Sequence, residues 1–160
     1  MVTVQIAGPS DAATMARLNG WVHALHTEAE PDAYRDLDPA WLAEQLARSL
    51  EEGRERAWLA SNDGEAIGML RCEHKTRQAT PYAHARAYVE VHELVVTPSA
   101  RRRGVGALLM QHAETWAGEL GVEVQLSCRA FNHDARHFYE ASGYEVVQVR
   151  FRKRPPPHLD

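Results

Sequence analysis

The chain has 160 residues and 44% hydrophobic content, which suits one domain with a sizeable core and is too short for two ordinary domains. Its net charge of −4 and sequence pI near 6.1 argue against a general nucleic-acid-binding protein, so any arginine cluster is a local feature. No stretch reaches the roughly 20 apolar residues of a membrane span, and the N-terminus lacks a secretory signal. With only two, widely separated cysteines, we expect a soluble, cytoplasmic protein.

The first quarter of the chain predicts one strand and two helices. Residues 2–7 alternate as a short strand, and Asp11 follows as part of an N-cap for an amphipathic helix. The stretch over residues 26–39 has mixed polarity and two prolines, so we interpret it as a loop. At its end, Asp38 precedes a proline and predicts the N-cap of a second helix.

The middle of the chain predicts a hairpin, a long strand, a helix and another strand. The dipeptide Asp63-Gly64 lies between two apolar runs, which is a strong hairpin signal. Residues 87–96 are rich in β-branched side chains and predict a central strand. A helical pattern begins after Gly104, and residues 122–128 alternate as a further strand.

The end of the chain predicts a short helix with Asn132 as its N-cap and a last strand over residues 144–151. Three prolines then prevent the sheet from continuing, so we expect a domain over residues 1–152 and a loosely held tail over residues 153–160. The element order predicts an α/β fold whose mixed sheet of about six to seven strands carries helices on both faces.

An arginine and glycine segment follows the predicted central strand. Residues 101–106 read Arg-Arg-Arg-Gly-Val-Gly and lead directly into a helix, where backbone N–H groups and the helix dipole suit an anion. On this segment alone, a phosphate site and a solvated basic turn are equally supported. A dinucleotide fingerprint is excluded because position 109 is leucine, and no Gly-Lys-Ser/Thr completes a P-loop.

Two motifs taken together resemble the signature of the GNAT-type N-acetyltransferase superfamily. The stretch VVTPSARRRGVGALLM is followed later by NHDARHFYEASGYE. The family pattern is Arg/Gln-x-x-Gly-x-Gly/Ala and then Asn-x-x-Ala-x-x-Phe-Tyr-x-x-x-Gly-Phe/Tyr. Its positions are filled here by Arg101, Gly104, Gly106, Asn132, Ala135, Phe138, Tyr139, Gly143 and Tyr144. The resemblance extends over residues 88–145 and implies a fold with one splayed pair of parallel strands.

The resemblance also implies acetyl-CoA as cosubstrate. The glycine loop would hold the pyrophosphate of acetyl-CoA through backbone N–H groups. The central strand would bind the acetyl and pantetheine portions, and the motif that begins at Asn132 would contact the pantetheine arm. The cofactor-binding residues implied in this way are Leu94, Val95, Val96, Arg101, Arg102, Arg103, Gly104, Val105, Gly106, Ala107, Asn132, Ala135 and Phe138.

Acetyl transfer to an amine needs a base for the nucleophile and a proton for the departing thiolate. The resemblance places the general acid at Tyr139, for which a packing role is the alternative. The central strand offers Glu90, His92 and Glu93 as bases. An alternation with a period of two puts Glu90 and His92 on one face and Glu93 on the other, mainly apolar face. We favour Glu90 or His92, with Glu93 third, and an ordinary polar strand residue stays an alternative for each.

The remaining expectations concern partners. No metal is expected, because His133 and His137 lack a further ligand at suitable spacing. The acceptor would be an amine on a small molecule or a protein, and the acidic residues of the loop over 26–39 could favour a cationic one. We expect no nucleic acid or membrane partner, and family habit suggests a homodimer. The alternative function is a non-catalytic acyl-CoA-binding sensor or partner-binding domain.

Overall fold

The computed structural model describes residues 1–156, and the chain folds as two compact units, Met1–Ser127 and Cys128–Asp160. The first unit contains five strands and three α-helices: β1 (Val2–Ala7), α1 (Ala12–Ala29), α2 (Pro39–Glu51), β2 (Glu55–Asn62), β3 (Glu65–Arg77), β4 (Arg86–Val96), α3 (Val105–Leu120) and β5 (Glu123–Leu126). The described part of the second unit contains α4 (His133–Ala141). No helix within residues 1–156 combines the length and apolar character needed to cross a bilayer.

The sheet has the strand order β1-β2-β3-β4-β5. Its first four strands are antiparallel to their neighbours, whereas β5 pairs with β4 in parallel. This mixed sheet confirms the predicted fold class. The parallel connection runs through α3, as a strand-helix-strand crossover requires.

Helices cover both faces of the sheet, as predicted. On one face, α1 and α2 form a core with side chains from β2, β3 and β4, among them Leu59, Met69 and Val95. On the other face, α3 packs so closely that a Cβ added at Gly68 would lie 3.2 Å from the side chain of Leu109. The sheet therefore has a buried apolar centre on each side.

Local signals in the sequence account for most of the element ends. Asp38 caps α2, because its Oδ1 accepts hydrogen bonds from the backbone N–H of Ala40 at 3.0 Å and of Trp41 at 3.3 Å. The hairpin between β2 and β3 turns at Asp63 and Gly64, with φ of 50° and 84°. Positive φ at both central residues is typical of a type I′ turn, which an Asp-Gly pair favours.

Helix α1 is longer than the sequence predicts. It continues to Ala29, four residues into the stretch we interpreted as a loop. Residues 26–30 contain neither glycine nor proline, and the residue preceding Pro31 is disfavoured in helical conformation. Glu30 accordingly leaves the helix with φ −138° and ψ 68°.

The predicted last strand, over residues 144–151, is wrong. These residues form neither strand nor helix, and the side chains of Val147 and Phe151 are exposed. Alternating valines supply β-propensity, but a strand forms only where a neighbouring strand supplies hydrogen-bonding partners. Within the described residues the sheet accordingly has five strands and not the six to seven predicted. Of the predicted tail, residues 157–160 lie outside the described residues.

Candidate functional site

Strand β4 contains a bulge at His92. Arg71 of β3 lies opposite Glu93, whereas the next residue, Cys72, lies opposite Val91, so His92 is inserted without a partner in the register. An extra residue shifts the alternation of side chains between faces. The sequence-based separation of Glu93 from Glu90 and His92 is therefore wrong, and all three side chains join one network.

We call this network the charged cluster; its members are Glu55, Arg71, Glu73, Lys75, Glu90, His92 and Glu93. Arg71 joins two strands, because its Nη1 lies 2.8 Å from a carboxylate oxygen of Glu55 and its Nε 3.1 Å from one of Glu93. Lys75 Nζ lies 3.2 Å from Glu73 and 3.4 Å from Glu90. The cluster thus holds four carboxylates against two permanent cations.

Glu93 is the buried carboxylate of the cluster. Its side chain is 8% exposed, and it accepts hydrogen bonds from Asn19 of α1 and from Arg71. Burial raises the pKa of Glu93, and the lowering effects of Arg71 and Asn19 do not cancel that rise. The Glu93 carboxylate thus links α1 to β3, and each of its oxygens already accepts a hydrogen bond.

We expect a Glu93→Gln variant to lose part of the pH dependence of stability. The folded chain keeps the Glu93 proton to a higher pH than the unfolded chain does, so ionisation above the ordinary value of about 4.3 favours unfolding. The free energy of unfolding of the wild type should therefore fall relative to that of Glu93→Gln as pH rises from this value. Urea unfolding of both chains at acidic and neutral pH measures this difference.

The control for this experiment is Glu119→Gln, which removes an exposed carboxylate from α3. Its stability should follow the wild type across the same pH range. An identical pH dependence in wild type and Glu93→Gln would show that Glu93 has the same pKa in the folded and unfolded chains.

His92 forms a hydrogen-bonded pair with Glu73. Its Nε2 lies 2.8 Å from Glu73 Oε2, and its Nδ1 lies 4.0 Å from Glu90. Burial acts to raise the pKa of Glu73, but hydrogen bonds from His92 and Lys75 outweigh it, and the pKa is lowered. When Nε2–H donates to an ionised Glu73, Nδ1 carries the lone pair and can accept a proton.

Beyond the bulge, β4 separates from β5. The parallel ladder runs from Tyr88 opposite Glu123 to Val91 opposite Leu126 and ends there, within the part of the chain that the structure describes. Residues 94–96 continue to pair with β3 only. The splayed pair of parallel strands that the resemblance implies is thus present, and it opens at the predicted cofactor-binding residues.

The glycine loop directly follows this opening. Arg102 and Gly104 have φ of 59° and 78°, and Gly104 is the N-cap of α3. Because the helix supplies no acceptors for its first N–H groups, those of residues 105–107 point towards the loop. A Cβ at Gly104 would meet no atom within 4 Å, so the space beside this helix start is open.

The three arginines of the loop differ in their contacts. Arg101 Nε donates to the carbonyl oxygen of Val96 at 3.3 Å, which links the loop to the end of β4. Arg102 and Arg103 are exposed. Arg101 thus has a structural contact, whereas the other two present their charge to solvent.

In the second unit, α4 carries the other predicted motif. Asn132 caps the helix, since its Oδ1 accepts from the backbone N–H of Ala135 at 3.2 Å. The ring of Tyr139 is half-buried, with its centroid 5.2 Å from that of Phe138 and 5.8 Å from that of Tyr144. Aromatic neighbours on two sides fix the orientation of the Tyr139 ring.

Sequence reasoning missed four members of the charged cluster, Glu55, Arg71, Glu73 and Lys75. They belong to β2 and β3 and join the candidate bases only through the register, in which Glu73 lies opposite both Glu55 and Glu90. The hairpin signal at residues 63–64 pairs β2 with β3, but a register shift between Ala60 and Ser61 places Glu55 opposite Glu73 and not opposite Cys72. No comparable turn signal in the sequence aligns β4 with β3 or locates the bulge in β4.

An open groove of about 690 Å³ lies between α1 and the segment that follows it. Gly20, His23 and Thr27 line it from α1, and Asp36 and Leu37 line it from the connecting segment. The acidic loop predicted as a rim for a cationic acceptor thus contributes Asp36 to a groove in the first unit.

The chain is similar to several proteins of one kind. Residues 18–144 match the model of the acetyltransferase (GNAT) family. The aminoalkylphosphonate N-acetyltransferase of Salmonella typhimurium is 31% identical over 130 residues, which cover 81% of this chain and 77% of that protein. The aminoglycoside N(6')-acetyltransferase type 1 of Klebsiella aerogenes is 29% identical over 134 residues, which cover 82% and 87%. A tetramutant of the BH1408 protein from Bacillus halodurans shares the fold, with a TM-score of 0.90 at 19% identity over 96% and 99% of the two chains.

Proposed function

Because the chain belongs to the acetyltransferase (GNAT) family and is an acyltransferase, we propose that it transfers the acetyl group of acetyl-CoA directly to a primary amine in a ternary complex. The observation that carries this proposal is the opening of β4 from β5 immediately before the glycine loop. This arrangement offers strand backbone and helix N–H groups to one extended ligand.

The proposed contacts to acetyl-CoA follow from this arrangement. The N–H groups of residues 102–107 would bind the pyrophosphate, and the backbone of residues 94–96 the acetyl and pantetheine portions. The family motif adds Asn132, Ala135 and Phe138 as contacts of the pantetheine arm. Bound acetyl-CoA would supply the thioester whose carbonyl carbon the amine attacks.

We favour His92 as the general base. Its hydrogen bond to Glu73 orients the ring and leaves Nδ1 to accept the proton of the amine, directly or through water. Glu90 is the alternative, although Lys75 Nζ lies 3.4 Å from its Oε2 and so occupies one of its oxygens. Glu93 is less suitable, because Arg71 and Asn19 occupy its oxygens. Tyr139 would be the general acid that protonates the departing thiolate.

The acceptor we propose is a small molecule with a cationic amine. The two similar proteins described above are named for the acetylation of an aminoalkylphosphonate and an aminoglycoside. In this chain, the excess of carboxylates in the charged cluster and Asp36 in the groove support a positively charged acceptor. The lysine side chain of a protein is the alternative acceptor.

A panel of amines tests this function. We expect the wild-type chain to release CoA from acetyl-CoA when an aminoalkylphosphonate, an aminoglycoside, a polyamine or a lysine peptide is added. His92→Gln should lower this release by about 100-fold, because a general base contributes at least that much, while acetyl-CoA still raises the melting temperature. The control is His74→Gln, which removes an exposed histidine of β3 and should leave release unchanged.

The same experiment addresses the acyl-CoA-binding module. Such a module would be stabilised by acetyl-CoA and would release no CoA with any amine. If acetyl-CoA raised the melting temperature of neither the wild type nor His92→Gln, both the transferase and the binding-module proposal would lose acetyl-CoA as their ligand. Full release by His92→Gln would move the base to Glu90 or to water.

The setting of the protein is part of the proposal. The thiols of Cys72 and Cys128 are both free, which supports a reducing compartment such as the cytoplasm. We keep the homodimer as an expectation from family habit, and we propose no nucleic acid or membrane partner.

A further inference from the structure

Three members of the charged cluster meet as metal ligands would. Glu55 of β2, Glu73 of β3 and His92 of β4 each offer one ligand atom, and these three atoms lie within 4.8 Å of one another. His92 Nε2 is 2.8 Å from Glu73 Oε2 and 4.0 Å from Glu55 Oε1. We propose that Glu55, Glu73 and His92 form a binding site for a divalent transition metal of the zinc type.

The spacing suits a zinc ion. Zinc–nitrogen and zinc–oxygen bonds of about 2.0–2.2 Å in tetrahedral geometry separate neighbouring ligand atoms by roughly 3.4 Å. The two distances from His92 Nε2, 2.8 and 4.0 Å, bracket this value, so small side-chain rotations would complete the geometry. One imidazole with two carboxylates is a ligand set for zinc and its neighbours, whereas magnesium and calcium favour oxygen ligands.

The surroundings leave the ligand atoms available. Arg71 binds Glu55 through Oε2, so Oε1 remains on the side of His92. Lys75 contacts Glu73 but also Glu90, where it can stay when an ion takes Glu73. The carboxylates of the cluster outnumber Arg71 and Lys75 whether or not Glu93 carries a proton, so the net charge of the cluster attracts a divalent cation.

The positions of the ligands favour a built site over a chance contact. Each ligand stands on a different strand of the sheet, and the side chain of Glu55 is only 12% exposed. The three ligands would fill three of the four positions of a tetrahedral ion and would leave one position for water or a substrate group. The sequence analysis predicted no metal because it considered only histidines that are close along the chain. The ligands proposed here come from three different strands.

Titration calorimetry of the tag-free chain with Zn²⁺, without acetyl-CoA, tests the site. We expect the wild type to bind one ion per chain. His92→Gln and Glu73→Gln should each bind zinc at least about tenfold more weakly than the wild type does. His74→Gln should bind as the wild type does. Zinc should also raise the melting temperature of the wild type and of His74→Gln more than that of the two ligand variants.

Two results would overturn the site. One is the absence of stoichiometric zinc uptake by a wild-type chain that melts cooperatively. The other is unchanged uptake in His92→Gln and Glu73→Gln, which would place the ion elsewhere among the nine histidines. Neither readout involves acetyl transfer, so failure of this site and failure of the proposed function are told apart. An ion on Nε2 would leave the ring proton of His92 on Nδ1, so the zinc-loaded chain could not use His92 as its general base.

Discussion

Replacing Tyr139 with phenylalanine is expected to lower the rate of acetyl transfer by about 100-fold or more, while acetyl-CoA binding stays unchanged. The ordinary pKa of a thiol, about 8.5, lies close below that of a tyrosine, about 10, so a tyrosine hydroxyl beside the departing thiolate can protonate it at a small cost. The substitution removes only the hydroxyl, so the packing of the ring against Phe138 and Tyr144 is retained. Steady-state kinetics with the best amine of the panel measures the loss.

The control is Tyr82→Phe, which removes a hydroxyl from a tyrosine that is 91% exposed. Its turnover should equal that of the wild type. Undiminished turnover by a folded Tyr139→Phe chain would mean that water or another group protonates the thiolate.

Replacing Gly104 with valine is expected to weaken acetyl-CoA binding by about tenfold, which is more than the few-fold loss expected for Arg103→Ala. Gly104 has φ 78°, and an L-residue in this left-handed conformation costs about 1–2 kcal/mol. The strain would distort the helix start whose N–H groups carry the proposed pyrophosphate contact. Arg103 is exposed, so its contribution is a screened charge. Calorimetry with acetyl-CoA at physiological salt compares the two variants.

Gly118→Ala serves as the matched control, because this glycine lies inside α3 and a Cβ there would meet no atom within 4 Å. Its acetyl-CoA affinity should equal that of the wild type. A larger loss for Arg103→Ala than for Gly104→Val would assign the pyrophosphate to the arginine side chains and not to the backbone.

The features that the sequence predicted correctly depend on neighbouring residues. The cap at Asp38, the hairpin turn at Asp63-Gly64 and the start of α3 after Gly104 each follow from the conformations available to a few residues. The family motif could be recognised for the same reason, because its residues are consecutive on one loop and one helix.

The features that the sequence did not predict depend on distant partners. Residues 144–151 have the composition of a strand, but pairing requires a neighbour that local patterning does not specify. The bulge at His92 arises where β3 and β4 come into register, and the sequence of β4 alone reads as a regular alternation. For this reason the sequence named Glu90, His92 and Glu93 as candidate bases, whereas it did not give their arrangement or their partners on β2 and β3.

Because His92 is an extra residue, odd-numbered side chains of β4 face one side of the sheet after it, and even-numbered side chains face that side before it. Val95 and Glu93 beyond the insertion face the core of α1 and α2, whereas the even-numbered Glu90 joins that side before it. Deleting His92 would therefore do more than remove an imidazole. It would join Val91, the partner of Cys72, directly to Glu93, the partner of Arg71, so the bulge would disappear while Val91 and Val95 kept their sides of the sheet. Substitution at this position tests chemistry, whereas a one-residue deletion tests the strand itself.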